Sequence, residues 1–168
     1  ATTFCGVHFS GGTSEILLVD KKAVGFDCDI IAQTRDLNAG QLIDRIGVLM
    51  GCSFPAGKAL EALANQVEPD LLDRKLVIST TMAGMDFHFS GQENQARRLL
   101  DAGTDQTVVA YLLFKSIAKT LSKAIIGLQK EYSFQSVLFS GGVMSNLIIK
   151  KIVEHELQAS GLQLYFSP

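Results

Sequence analysis

The chain has 168 residues, 47% of them hydrophobic and 19% charged, with a formal charge of -2. That supports one sizeable core and predicts a single domain over 1–168, but gives too little positive charge for binding nucleic acid through bulk electrostatics. Any RNA contact then needs a local patch or a partner protein. No signal peptide and no apolar run long enough to cross a membrane stands out, and Cys5, Cys28 and Cys52 have no Cys-x-x-Cys spacing, which predicts a reduced, cytoplasmic protein without a cysteine zinc site.

In chain order, apolar runs over 4–9, 16–19 and 26–33 predict three strands in an antiparallel meander, joined by Gly11-Gly12 and by Asp20-Lys21-Lys22. Asp27, Asp29 and Gln33 alternate with Phe26, Cys28 and Ile30, so the third strand is expected to have one wet face. Asn38 with Gln41 three residues on forms a variant capping box, and Leu42, Ile43, Ile46 and Leu49 continue a helix that stops near Gly51. Phe54-Pro55-Ala56-Gly57 is a turn, 58–66 a short helix, 67–74 a surface connection and 76–79 a strand. Alternation over 85–90 predicts a strand closing on a turn at Gly91, with a helix over 92–100 behind it. Thr104 or Asp105 caps the longest helix, whose stripe of Val108, Leu112, Ile117, Leu121, Ile125 and Leu128 belongs to the core. A buried strand over 135–140 runs into Gly141-Gly142, Ser145 or Asn146 caps a helix carrying Ile149, Ile152 and Val153, and 162–166 is a last strand.

One tetrapeptide occurs twice, as Phe9-Ser10-Gly11-Gly12 and Phe139-Ser140-Gly141-Gly142. The first lies between strands, where its glycines and hydroxyls can form an N–H concavity for phosphate. The second opens a helix, so bare backbone and unpaired helix N–H groups can meet a nucleotide; an ordinary strand-to-helix turn is the other reading. Together they have the layout of one lobe of the RNase H-like, actin-like ATPase class of Hsp70, actin and sugar kinases: α/β, with a mixed sheet and packed helices.

The ordered motifs resemble the TsaD family, which catalyses tRNA threonylcarbamoyladenosine synthesis and also carries the older name O-sialoglycoprotein endopeptidase, or glycoprotease. The resemblance rests on His8-Phe9-Ser10-Gly11-Gly12, Asp36-Leu37-Asn38-Ala39-Gly40, Asp44-Arg45, Phe54-Pro55-Ala56-Gly57, Asp86-Phe87-His88-Phe89-Ser90-Gly91 and Gly141-Gly142-Val143-Met144-Ser145-Asn146. It implies that His8, Phe9, Ser10, Gly11 and Gly12 cradle the phosphate and acyl part of ATP or threonylcarbamoyl-adenylate. Asp44 and Gly57 would hold the ribose, and Asn146, after Gly141 and Gly142, would complete the nucleotide site. A histidine stands where archaeal and eukaryotic relatives have a tyrosine near a divalent metal (iron, zinc or magnesium), so His8 is either a metal ligand or a packed strand residue.

The family's His-x-x-x-His pair and its Asp-Asn-Gly aspartate have no counterpart here, so the resemblance implies most of the second lobe of a two-lobed protein, with a family-specific helical insertion around 36–105. Ala56, Lys58, His88 and Lys150 depart from the family pattern. Lys58 is either a contact for an anionic ligand or a solvated lysine. The implied function is threonylcarbamoyl transfer to tRNA adenosine beside the anticodon, with a TsaB-like partner protein and no membrane. The alternatives are a degenerate paralogue serving as a nucleotide-binding or dimerisation scaffold, and a metalloendopeptidase, for which no His-Glu-x-x-His is present. The chain alone is expected to be inactive in transfer and proteolysis, with no catalytic residue of its own, and to form a homo-oligomer by covering apolar surface.

Overall fold

Alternating burial along the first two strands sets the frame. A computed structural model describes residues 3–73 and 75–168. In it β1 (Thr3–Phe9) pairs antiparallel with β2 (Ser14–Lys21), Val7 opposite Ile16 and His8 opposite Glu15. The third strand, β3 (Phe26–Gln33), pairs antiparallel with β2 across an irregularity between Ile16 and Leu17. Asp27 and Asp29 share one exposed face as expected, but the irregularity turns Gln33, opposite Glu15, onto the other face with Phe26 and Ile30, and these two stay exposed because β3 is an edge strand and no helix among the described residues covers that face there.

Helix α1 (Ala39–Leu49) starts as its capping box predicts, the Gln41 side chain accepting from the Asn38 N–H at 2.9 Å. Helix α2 (Gly57–Asn65) packs close against it, because Gly47 has no Cβ: one built there would lie 2.4 Å from the Ala56 Cβ. Beyond come the short hairpin of β4 (Thr81–Ala83) and β5 (Asp86–His88), then α3 (Ser90–Asp101) and α4 (Gln106–Tyr132). Asp105 rather than Thr104 caps α4, accepting from the Thr107 N–H at 2.8 Å. Next follow β6 (Ser136–Ser140), a 3-10 turn over Gly142–Ser145, α5 (Leu147–Glu156) and β7 (Gln163–Phe166).

The five-stranded sheet has the order β3-β2-β1-β6-β7, with β6 parallel to both β1 and β7. Cys5, Val7, Phe9, Val137 and Phe139 share one face and join residues of all five helices, such as Leu42, Leu60, Ala96, Leu121 and Ile149, in one buried cluster. On the opposite face Leu138 and Tyr165, paired across β6 and β7, stay exposed. This is the mixed-sheet α/β architecture expected of the actin-like class.

Two expectations fail between residues 76 and 91. Residues 76–79 form no strand: Ser79 hydrogen-bonds instead to the Gln95 side chain, its N–H donating at 2.8 Å and its carbonyl accepting at 3.3 Å, so an amide replaces a sheet neighbour. Gly91 does not turn the chain but lies in the first turn of α3, which begins at Ser90. The cap of α3 comes from Asp36, whose carboxylate accepts from the N–H groups of Phe89 (2.7 Å) and Ser90 (3.2 Å) and from the Ser90 hydroxyl (2.6 Å). Burial by itself would raise the Asp36 pKa, but donation from Phe89, Ser90 and Leu37 outweighs it and holds the carboxyl at about 2. His88, which looks solitary in the sequence, places Nδ1 3.3 Å from the same carboxylate.

Candidate nucleotide site

Parallel pairing of β1 with β6 brings the two Phe-Ser-Gly-Gly segments side by side, His8 opposite Ser140. Both chains leave the sheet at the carboxyl ends of adjacent parallel strands, where open α/β sheets form ligand crevices. Gly141 adopts φ +95° and ψ 155°, and a Cβ there would fall 2.1 Å from the Phe9 carbonyl oxygen. Only glycine lets the two exits pass so closely. Gly40, in the first turn of α1, is pinned in the same way: its Cβ would lie 2.6 Å from backbone atoms of Ser10 and Gly11. Its N–H donates to the Ser10 carbonyl at 3.1 Å, so α1 backs the first turn. By contrast nothing lies within 4 Å of a Cβ at Gly11, Gly12 or Gly142.

In front of these turns lies a cleft of about 610 Å³ between α2 and the start of α5. Gly11, Asp44, Gly57, Gly142 and Asn146, all expected in the site, line it together with Lys58. His8, Ser10, Gly12 and Gly141 do not line it. The Phe9 side chain is 0% exposed and packs on Phe87 and Phe89 at ring distances of 5.7 and 6.2 Å, so Phe9 can offer a ligand only backbone. Asp44 also accepts from the Ala56 N–H at 2.8 Å and so ties α1 to the start of α2.

The expectation of unpaired N–H groups at the α5 start holds only in part, since two of its first three donors are used. The Asn146 Oδ1 accepts from the Ile149 N–H at 2.9 Å, which makes Asn146 and not Ser145 the cap, and Glu61 accepts from the Leu147 N–H at 3.1 Å. Those donors are occupied, whereas among the described residues the Asn146 Nδ2 and the Gly11 N–H have no partner within the chain. Glu61, Phe54 and Gly40 are site residues that the sequence reading missed. Glu61 had a signal: it follows Gly57 by one helical turn and so shares its face of α2. Phe54 and Gly40 had none beyond their motifs.

The His8 Nδ1 lies 3.1 Å from the Ser140 hydroxyl, which itself donates to the Val7 carbonyl at 3.0 Å. With the only hydroxyl proton so engaged, Ser140 accepts and His8 Nδ1 donates, which leaves Nε2 as the ring's acceptor nitrogen. Among the described residues no group of three His, Cys, Asp or Glu could hold a metal ion. Cys5 is no nucleophile: burial pushes its thiol up to about 12. No helix among the described residues is long and apolar enough to cross a membrane.

Solved structures with the same fold include HypF from T. kodakarensis (TM-score 0.75, 16% identity, 98% of this chain and 31% of that one). Full-length HypF in a phosphate- and nucleotide-bound form is a second (TM-score 0.78, 14% identity, 98% and 36%). In sequence the chain is 27% identical to a tRNA N6-adenosine threonylcarbamoyltransferase of Prochlorococcus marinus (strain MIT 9215), over 99% of this chain and 49% of the relative. It is 28% identical to the protein of that name from Dichelobacter nodosus, over 98% and 48%. The chain thus spans about half the length of these curated relatives. The model of the TsaD family, described as tRNA N6-adenosine threonylcarbamoyltransferase, matches residues 5–168, and the chain belongs to that family.

Proposed function

We propose that this chain is the nucleotide-binding lobe of a two-lobed transferase that moves a threonylcarbamoyl group from its adenylate to the exocyclic amine of a tRNA adenosine. The observation that carries the reading is the cleft at the carboxyl ends of β1 and β6, where Gly11 and Gly142 present open backbone opposite Asp44, Gly57 and Glu61. Carboxylates on that wall suit ribose hydroxyls, the Asn146 Nδ2 suits a base or ribose acceptor, and the open turn at Ser10–Gly12 suits phosphate or the acyl group. Lys58, on the same wall, suits the anionic part of the ligand.

His8 would offer Nε2 to a divalent cation, whose other ligands would have to come from outside this chain. Such a cation would supply charge neutralisation for the mixed anhydride. The chain's own part is to hold the adenylate and orient its carbonyl; no protein nucleophile is needed. The departure at Ala56 leaves the cleft open because Gly47 accommodates its methyl group, which favours a working site over a degenerate scaffold.

The test is transfer by the full-length protein, supplied with threonylcarbamoyl-adenylate and unmodified tRNA and with a TsaB-like partner, read as modified adenosine by mass spectrometry. Product above background is expected; none, with ATP still binding in calorimetry, favours the scaffold reading. The 168-residue chain alone is expected to be inactive and to self-associate through the face that carries Phe26, Ile30, Leu138 and Tyr165, and a monomer in light scattering at high concentration overturns the second point.

A further inference from the structure

A second groove adjoins the nucleotide cleft, with Asp44 and Phe54 as shared walls. Its volume is about 470 Å³, and its other sides are Val48 and Leu49 at the end of α1, Arg45, and Arg97 on α3. Apolar groups are unusually bare here: Phe54 is 75% exposed, Val48 50% and Leu49 49%. Two guanidinium groups flank them. Arg45 lies 3.2 Å and Arg97 3.9 Å from one oxygen of the nearly buried Glu93, so two cations share a single carboxylate and remain half exposed toward the groove.

We propose that this groove receives an unpaired nucleotide of the acceptor RNA, its base stacked on Phe54 and its phosphate reached by Arg45 or Arg97. The inference rests on the transfer reading above and adds to it the place of the second substrate. Three features select this occupant. The volume suits one nucleotide and is small for the face of a partner helix. A bare aromatic ring beside guanidinium groups is the platform on which splayed single-stranded bases stack, whereas an apolar partner protein would leave both arginines without use. The shared wall sets the groove directly beside the donor cleft, as transfer between two bound ligands demands.

The experiment compares the full-length protein with its Phe54→Ala, Phe54→Trp and Arg97→Gln variants, using fluorescence anisotropy of an unmodified anticodon stem-loop RNA and calorimetry with ATP. Phe54 is so exposed that its removal leaves the fold standing, which an unchanged melting temperature verifies. Phe54→Ala is expected to weaken RNA binding about tenfold, Phe54→Trp to keep it, and Arg97→Gln to lower the salt dependence by about 0.7 in the log–log slope. ATP affinity should hold in Arg97→Gln, whose side chain lines the second groove and not the donor cleft. Unchanged RNA binding in Phe54→Ala and Arg97→Gln overturns the proposal while leaving the transfer reading intact. Loss of ATP affinity in Arg97→Gln also overturns it, by assigning the groove to the donor ligand. Wild-type protein that binds neither ATP nor RNA overturns the transfer reading itself.

Discussion

The two Phe-Ser-Gly-Gly segments are identical in sequence and neighbours in space, yet their glycines serve opposite ends. After β1 the chain turns back into a hairpin closed by the Ser10 N–H on the Thr13 carbonyl at 2.7 Å, and both glycines face open space. After β6 the chain enters a 3-10 turn, and Gly141 is wedged against the Phe9 carbonyl while Gly142 alone faces the cleft. The phenylalanines differ as well: Phe9 sits among Phe87 and Phe89, whereas Phe139 stacks on Phe166 at 4.5 Å. A glycine after a strand is therefore a packing device or a ligand surface depending on what passes beside it, and the tetrapeptide does not say which.

The sharpest way to break the contrast is Gly141→Ala. It combines a backbone region open almost only to glycine with overlap on backbone, so a loss of about 3 kcal/mol or more is expected in denaturant unfolding. Stability equal to wild type would refute the packing role. Gly40→Ala, which drives a methyl group into the first turn from behind, should cost about 1 to 3 kcal/mol and also weaken ATP binding, because the turn must shift. ATP affinity unchanged beside a lower melting temperature would separate α1 from the site.

Acid titration probes the support under Phe9. The Asp36 carboxyl is held at about 2, below its unfolded value of about 3.9, so its contribution is complete above pH 4 and disappears as pH falls through 2. With solvent screening allowed for, it is on the order of 1 kcal/mol, and Asp36→Asn should remove that stretch of the pH dependence. An unaltered acid limb in the variant would count against the α3 cap.

Smaller stability effects are expected where the glycines face the cleft. Gly142→Ala should stay within about 0.5 kcal/mol of wild type while lowering ATP affinity, the reverse of its neighbour. Smallest in stability is Asn146→Ser, since serine caps a helix about as well; removal of the Nδ2 donor should still lower ATP affinity about tenfold at nearly constant melting temperature. Equal affinities in calorimetry would leave Asn146 a cap alone.

Much of this molecule was legible from sequence because its determinants are local. The meander of β1 to β3, the Asn38–Gln41 capping box, the α4 stripe and the strand-glycine-helix order of β6 and α5 each follow from side chains repeating every two or every three to four residues. What tertiary structure alone decided are pairings between distant residues: Asp36 with the Phe89 N–H across 53 positions, Glu61 with the Leu147 N–H across 86, and His8 with Ser140 across 132. Periodicity carries no information about such partners. For the same reason the composition, nearly neutral overall, conceals Arg45 and Arg97 converging on Glu93 beside an exposed Phe54. Local pattern assigned the elements, and only their packing determined which polar groups were used up inside the fold and which were left facing a ligand.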